Sequence, residues 1–177
     1  MIKNKGKQFE NDFKDSCKSE KIFYYRIKDT ASAFNEKCFK CKDNKNKFTL
    51  KNECDFLIFH PPILIPIECK SISTKSISLS ESMIKPQQIE SLTKWTVFEN
   101  VVPGFIFNFR EINNDTYFLH INDFNNYIKD ENRKNKASIP VAYCEKMGIK
   151  IDSMKKVKNY KYDVIELFDK LSVRYTN

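Results

Sequence analysis

Two carboxylates and a lysine stand at the ends of a predicted β-hairpin. Asp55 precedes the apolar run 56–59, and Glu68 and Lys70 lie two residues apart near the end of the next apolar run. Side chains two apart on a strand share one face of a sheet, and the hairpin brings Glu68 back towards Asp55. Carboxylates among apolar residues are costly unless a partner compensates them. Oxygen ligands suit Mg²⁺ or Mn²⁺, so the pattern predicts metal-assisted phosphodiester hydrolysis, with Lys70 orienting the attacking water.

A structural explanation of the same residues is also open. Glu-x-Lys triplets arise by chance in a chain with 31 lysines and arginines, and Glu68 and Lys70 would then form a surface salt bridge on a half-exposed strand. An aspartate at the head of the preceding strand is a more specific pattern than the triplet alone. The catalytic interpretation is therefore favoured.

Hydrophobic periodicity predicts an α/β fold with a mixed central β-sheet flanked by helices. Strands are predicted over 22–27, 56–59, 63–70, 101–109 and 117–121. Helices are predicted over 4–20, 86–95, 140–146 and 163–171, with a further short helix capped by Asn122 or Asp123. Pro66 cannot donate a ladder hydrogen bond, so we expect it at a bulge or with its nitrogen facing an edge.

Basic residues are concentrated in the first third of the chain. The 177 residues include 31 Lys or Arg and 23 Asp or Glu, and residues 1–51 hold 14 of the basic and 7 of the acidic side chains. The polar, lysine-rich segment 29–51 is predicted to be an exposed arm that contacts a polyanion such as nucleic acid. A solvated lysine-rich surface is the alternative.

Several functional classes are excluded by what the sequence lacks. No apolar run reaches the roughly 20 residues of a membrane span, and the first residues lack a signal-peptide pattern. The sequence therefore predicts a cytoplasmic protein without a membrane partner. With only 3 glycines, neither a Walker-type loop nor a dinucleotide fingerprint can be assembled.

The six cysteines are predicted to be reduced, because nothing in the sequence indicates secretion. Cys38 and Cys41 have the spacing of half a zinc site. Zinc bound by Cys38, Cys41, Cys54 and one further ligand remains an alternative, although reduced structural cysteines are favoured.

Taken in order, these motifs resemble a known family of nucleases. Asn52-Glu53-Cys54-Asp55-Phe56 followed by Ile67-Glu68-Cys69-Lys70-Ser71 is similar to the D…E-x-K core of the PD-(D/E)xK superfamily. The flanking similarities are the opening-helix motif Gly6-Lys7-Gln8-Phe9-Glu10, the strand Tyr24-Tyr25-Arg26-Ile27-Lys28-Asp29 and the helical Gln87-Gln88-Ile89. More narrowly, the chain resembles RecU-type Holliday junction resolvases, especially those of phages and mobile elements of low-G+C Gram-positive bacteria.

The resemblance implies one restriction-endonuclease-like domain over residues 1–177 and a role for each residue of the site. Asp55, Glu68 and the backbone carbonyl of Cys69 would hold Mg²⁺ or Mn²⁺, and Lys70 would position the water. Glu10 and Gln88 would complete the shell around water or phosphate. Gln87 stands where these enzymes often carry His.

The resemblance also implies the partners of the protein. It implies a homodimer that binds four-way junction DNA and nicks two strands symmetrically, acting in recombination and repair, with a strand-exchange recombinase as a further partner. Segment 29–51 would form a stalk projecting towards the junction. The expected DNA-binding residues are Arg26, Lys28, Lys37, Lys40, Lys42, Lys45, Lys47 and Lys51.

Two other functions remain open at this point. One is a superfamily nuclease that cuts linear duplex DNA, although base readout usually uses arginine and the chain has only 4. The other is a non-catalytic DNA-binding module with a zinc site. The place to look for a dimer interface would be an exposed apolar face of 101–121 or of the C-terminal helix.

Overall fold

The computed structural model describes residues 5–27, 52–131 and 137–175. In chain order, the helices are α1 (Lys5–Ser19), α2 (Pro86–Trp95), α3 (Ile121–Lys129), α4 (Val141–Met147) and α5 (Val164–Tyr175). The longer strands are β1 (Phe23–Arg26), β2 (Phe56–His60), β3 (Ile63–Ile72), β5 (Gly104–Phe109) and β6 (Asp115–His120). The short strands are β4 (Ser76–Ser78), β7 (Ser138–Pro140), β8 (Ile149–Lys150), β9 (Ser153–Lys155) and β10 (Tyr160–Tyr162).

Six of these strands form one mixed sheet, in the order β1-β2-β3-β5-β6-β8. The β3–β5 pair is parallel and the other neighbours are antiparallel. A parallel pair requires a crossover connection, and α2 lies in the segment that connects β3 to β5. The predicted α/β fold with a mixed sheet flanked by helices is confirmed.

The two faces of the sheet carry separate apolar clusters. On one face, Ile67 and Ile106 cluster with Phe13 of α1 and Leu167 of α5. On the other face, Phe105 and Phe107 pack with residues of α2, α3 and α4. Because Glu68 and Lys70 pair with Phe105 and Phe107 in parallel register, the two charged side chains lie on the second face.

Most predicted elements are present, and the differences arise at caps and short strands. α3 begins two or three residues earlier than expected, because His120 is its N-cap and accepts the amide of Asn122 on Nδ1 at 3.1 Å. The expectation that Asn122 or Asp123 caps this helix is therefore wrong. The short strands β4, β7, β8, β9 and β10 were not predicted, since their two or three residues are too few for a periodic pattern.

Pro66 lies inside the sheet, in the third of its six strands. Leu64 donates its amide to the carbonyl of Asn100 and accepts the amide of Val102, each at 2.9 Å. Backbone groups alternate along a strand, so the nitrogen of Pro66 faces this same side. The regular pairing of β3 with β5 begins only at Ile67. The missing donor therefore falls just before the ladder starts, rather than at an edge of the sheet.

The expected apolar face on 101–121 is wrong, because β5 and β6 are covered on both sides of the sheet and their apolar side chains are buried. Exposed apolar side chains occur elsewhere. Those along β1 and β2 are Phe23, Tyr25 and Phe59, those after α2 are Val97 and Phe98, and those on α5 are Ile165 and Val173.

Candidate active site

Asp55 lies where β2 begins and contacts the backbone of β3. Its amide donates to the carbonyl of Ile67 at 3.0 Å, and its Oδ2 accepts the amide of Cys69 at 2.8 Å. Since carbonyls two residues apart on a strand face the same way, the carbonyl of Cys69 faces the side on which Asp55 lies. The expectation that the hairpin brings the end of β3 back towards Asp55 is therefore confirmed.

Glu68 and Lys70 form an ion pair in a nearly buried position. Lys70 Nζ lies 2.9 Å from Glu68 Oε1, and only 5% of the Glu68 side chain and 17% of the Lys70 side chain are exposed. The predicted alternative of a half-exposed surface salt bridge is thus wrong, because α2 covers this face of the sheet. A buried ion pair is costly to desolvate and is weak evidence for a purely stabilising role.

Gln88 reaches the same carboxylate from the first turn of α2. Its Nε2 donates to Glu68 Oε1, and its own Oε1 accepts the amide of Lys85 at 3.0 Å in a capping arrangement. The cap fixes which end of the Gln88 amide faces Glu68. The neighbouring Gln87 makes no hydrogen bond among the described residues. Of this pair, Gln88 is therefore the residue that contacts Glu68.

Glu10 of α1 is the third carboxylate near this site. Arg26, at the end of β1, places Nη2 2.6 Å from Glu10 Oε2. The charges of Asp55 and Lys70 both act on Glu10, Asp55 raising its pKa and Lys70 lowering it. Glu10 thus belongs electrostatically to the cluster formed by Asp55, Glu68 and Lys70.

The pKa values of Glu10 and Glu68 are both raised. Burial, followed by the charge of Asp55, raises the pKa of Glu68 to about 7, although Lys70 opposes the shift. Burial and the charge of Asp55 likewise raise the pKa of Glu10 above its ordinary value. A divalent cation bound between these carboxylates would reduce the repulsion between them.

The donor set fits a hard divalent cation that keeps several waters. Asp55 and Glu68 supply oxygens, and the carbonyl of Cys69 lies on the side of Asp55. The described residues contain no group of three or more His, Cys, Asp and Glu side chains arranged to bind a metal. Two carboxylates and one backbone carbonyl are therefore the available set, which suits Mg²⁺ or Mn²⁺ better than zinc.

Comparison with known proteins identifies the family. The family model described as recombination protein U, RecU, matches residues 4–167. The chain belongs to the RecU family. It is 42% identical over 177 residues to the SPbeta prophage-derived uncharacterized protein YotM of Bacillus subtilis (strain 168), with 95% of this chain and 87% of that protein covered.

The fold of this RecU-family protein is also similar to that of a solved structure. Hjc of Archaeoglobus fulgidus, described as a Holliday junction resolvase from an archaeal hyperthermophile, superposes with a TM-score of 0.51. The match covers 82% of this chain and 95% of Hjc at 13% sequence identity. At this identity the similarity concerns the fold, and it confirms the predicted nuclease-like α/β architecture.

Sequence reasoning missed a polar network at the C-terminal end of β3. Ser71 donates to Asn108 Oδ1 at 2.7 Å and accepts Arg110 Nη1 at 2.9 Å. Asn108 in turn donates to Asn114 Oδ1 and to Thr116 Oγ1, each at 2.9 Å. A signal was present in the sequence, because Asn108 interrupts the otherwise apolar run of β5.

Some of the predicted functional residues lie outside the described part of the chain. These are Lys28, Lys37, Lys40, Lys42, Lys45, Lys47 and Lys51, together with Cys38 and Cys41. Cys54 is described and buried; its thiol contacts the carbonyl of Phe56 at 3.4 Å, and burial raises its pKa to about 12.

None of the helices within 5–27, 52–131 and 137–175 is both long enough and apolar enough to cross a bilayer.

The raised pKa of Glu68 predicts an unusual dependence of stability on pH. Without metal, we expect the free energy of unfolding to fall as pH rises from about 4.5 to about 7. The folded protein binds the Glu68 proton more tightly than the unfolded chain, so this contribution is complete below about pH 4.5 and lost above about pH 7. At 1.36 kcal/mol per pKa unit, the contribution is at most about 3 kcal/mol.

Urea unfolding in EDTA at several pH values would measure this effect, with Glu68→Gln and Glu90→Gln compared with wild type. Glu68→Gln should remove the pH-dependent component, whereas Glu90→Gln, at an exposed position on α2, should keep it. An unchanged pH dependence in Glu68→Gln would show that another group carries it.

Proposed function

We propose that this RecU-family protein is a Holliday junction resolvase, an endodeoxyribonuclease that nicks two strands of four-way junction DNA symmetrically. The observation that carries the proposal is the convergence of Asp55, Glu68, Lys70 and Gln88 at one point of a nuclease-like sheet. Family membership and the similarity to Hjc support the junction as substrate. We place the activity in the cytoplasm of a bacterial cell, and the gene for the protein in the chromosome, a phage or a plasmid.

In the proposed mechanism, Asp55 and Glu68 bind Mg²⁺ or Mn²⁺ together with the carbonyl of Cys69. Glu68 would bind through Oε2, because both Lys70 and Gln88 contact Oε1. The cation supplies charge stabilisation for the attacked phosphate. Oε1 of Glu68 would thus accept hydrogen bonds from the protein, and Oε2 would be left for the cation.

The protein's own side chains would then place the water and the phosphate. Lys70 donates from a nearly buried position, so its charge acts through little solvent on the attacking water and on the developing negative charge. Glu10, held by Arg26, would accept a hydrogen bond or a proton from the water, and its raised pKa suits that role. Gln88 keeps the Glu68 carboxylate in one orientation.

DNA binding and assembly complete the proposal. Arg26, whose side chain is 42% exposed, would contact a phosphate while it keeps Glu10 in place, and Lys28 and the arm lysines would hold the junction. We further propose a homodimer, because symmetric nicking requires two active sites. The exposed aromatic residues of β1 and β2 are the first place to look for its interface. A strand-exchange recombinase is a further proposed partner.

A nicking assay tests the function directly. End-labelled synthetic four-way junction and a linear duplex of matching sequence are incubated with and without Mg²⁺ or Mn²⁺. We expect paired symmetric nicks in the junction only, and only with the cation. Equal cutting of the linear duplex would indicate a different nuclease of the superfamily. Binding without cutting would indicate a non-catalytic module, and zinc content would then be measured.

Gln88 and Gln87 offer a matched pair for testing the positioning of Glu68. We expect Gln88→Glu to reduce junction nicking by roughly 100-fold, because it keeps an acceptor for the Lys85 amide but removes the donor to Glu68. The same change at Gln87 should leave nicking within about threefold of wild type, since a surface substitution away from the chemistry has a small effect.

Single-turnover nicking rates at several Mg²⁺ concentrations would measure the difference between the two variants. A positioning role for Gln88 also predicts weaker apparent Mg²⁺ affinity in Gln88→Glu, which a purely structural effect of the cap would not produce. Equal rates for the two variants would contradict this role.

A further inference from the structure

A small hairpin beside α1 stands apart from the main sheet. We call residues 153–162 the C-terminal hairpin; it consists of β9, the turn 156–159 and β10. The two strands pair in antiparallel register, and the amide of Lys156 donates to the carbonyl of Asn159 at 2.7 Å to close the turn. The hairpin is thus a two-stranded ribbon with its own tip.

The C-terminal hairpin carries four lysines and no acidic residue. Lys161 lies 3.3 Å from Glu20, but Lys155, Lys156 and Lys158 have no carboxylate partner among the described residues. All three are exposed, and Val157 between them is 96% exposed. The tip is therefore a cluster of positive charge that the described part of the protein does not neutralise.

One polar row of α1 holds the backbone of this hairpin. Gln8 Nε2 donates to the carbonyl of Lys158 at 3.1 Å, Asp12 Oδ2 accepts the amide of Tyr160 at 3.0 Å, and Ser16 Oγ accepts the amide of Tyr162 at 2.9 Å. The three α1 residues are spaced four apart and so share one helix face. The lysines face solvent from a backbone that the helix fixes in place.

Aromatic packing on the same helix and a contact to the β5–β6 turn also fix the hairpin. The ring of Tyr162 lies 5.5 Å from that of Phe9 in an edge-to-face arrangement, and its hydroxyl accepts Asn114 Nδ2 at 3.2 Å. The preorganised backbone reduces the ordering that binding through the lysines would otherwise require. A simple solvated loop would need none of these attachments.

A polar cleft connects the hairpin to the catalytic strand. It has a volume of about 220 Å³ and is lined by residues that include Lys5, Ser71, Arg110 and Tyr160. The side chain of Ser71 lies on the face of β3 opposite to Glu68 and Lys70, so the cleft follows the α1 side of the sheet. Its lining holds two cations, Lys5 and Arg110, and two carboxylates, Asp12 and Glu111, so the unneutralised positive charge lies on the hairpin itself.

We infer that the C-terminal hairpin is a second DNA-binding surface, contacting backbone phosphates of a duplex arm of the junction. The inference rests on the proposed function for its choice of partner. Lysine is a compact point charge that suits phosphate contacts without base readout, as a shape-selective enzyme requires.

A charge-matched pair of double variants tests the inference. Lys156→Gln/Lys158→Gln removes two charges from the hairpin. The control, Lys18→Gln/Lys21→Gln, removes two charges from exposed positions at and just after the C-terminal end of α1, about three turns from Gln8, which holds the hairpin tip. The full chain is titrated with a fluorescent four-way junction in EDTA, at several NaCl concentrations. Thermal unfolding of each variant checks that the fold is kept.

For the hairpin variant, we expect roughly fivefold to tenfold weaker binding at moderate salt. The slope of log Kd against log salt should fall by about 1 to 2, because each lost phosphate contact contributes about 0.9. The control variant should keep the wild-type slope and bind within about twofold. Equal losses in the two variants, or no loss in either, would overturn the inference.

The result is independent of catalysis, because the measurement uses binding without a cation. A protein that binds DNA through the hairpin but nicks no junction would refute the proposed function and keep the inference. A protein that nicks junctions normally but shows no hairpin effect would do the reverse.

Discussion

We expect Glu68→Gln and Asp55→Asn each to reduce Mg²⁺-dependent nicking of a four-way junction by at least about 1,000-fold. Each change removes one anionic ligand while keeping the size of the side chain, and Gln at position 68 keeps an oxygen that can accept from Lys70 and Gln88. Loss of the cation removes several kcal/mol of charge stabilisation in the transition state, which corresponds to this factor. The measurement is the single-turnover nicking rate with protein in excess over junction.

Junction binding separates this effect from misfolding. In EDTA, both variants should bind the junction as tightly as wild type or more tightly, because each removes a negative charge near the DNA path. Glu90→Gln is the matched control, since Glu90 is an exposed carboxylate of α2 that pairs with Lys94. Nicking by Glu68→Gln within about tenfold of wild type would mean that the catalytic carboxylates lie elsewhere.

Strands β2 and β3 were predictable because their determinants are local. The apolar runs 56–59 and 63–67, which flank the turn at 61–62, fix the hairpin, and the hairpin alone brings Asp55 to the backbone of Cys69. The two-residue period of a strand places Glu68 and Lys70 on one face. What the sequence did not provide was their burial, which depends on α2 covering that face and raises the pKa of Glu68.

The parts that sequence reasoning missed depend on contacts between distant segments. The C-terminal hairpin has no apolar alternation of its own, and its backbone partners Gln8, Asp12 and Ser16 lie about 150 residues earlier in the chain. Likewise, Ser71 joins Asn108 and Arg110 only because β3 and β5 are parallel neighbours. No window of sequence contains either arrangement.

Burial also explains why one carboxylate is fixed so firmly. Two groups donate to Glu68 Oε1: the ammonium of Lys70 from the same strand and the side-chain amide of Gln88 from α2. A charged group in this environment needs every available partner, because its desolvation cost is high. The contact of Gln88 with Glu68 and the low exposure of Lys70 thus both depend on the packing of α2 against the sheet.

Lys70→Ala is expected to reduce junction nicking by roughly 100-fold to 1,000-fold, the size seen when one preorganised donor to a developing charge is removed. The variant should also change the pH dependence of the remaining activity. Lys70 lowers the pKa of Glu68, so its removal raises that pKa further, and residual nicking should require a higher pH than in wild type. Single-turnover rates between about pH 6 and pH 9 would measure both effects.

Lys75→Ala is the control for this prediction, because Lys75 is an exposed lysine in the turn after β3 and should leave the rate within about twofold of wild type. Lys70→Arg refines the result: it restores the charge but not the compact shape of the ammonium group, so it should recover the pH profile of Glu68 more fully than the rate. A Lys70→Ala variant that keeps more than about a tenth of the wild-type rate, with an unchanged pH profile, would refute the catalytic role of Lys70. It would reduce the Glu68–Lys70 contact to a structural ion pair.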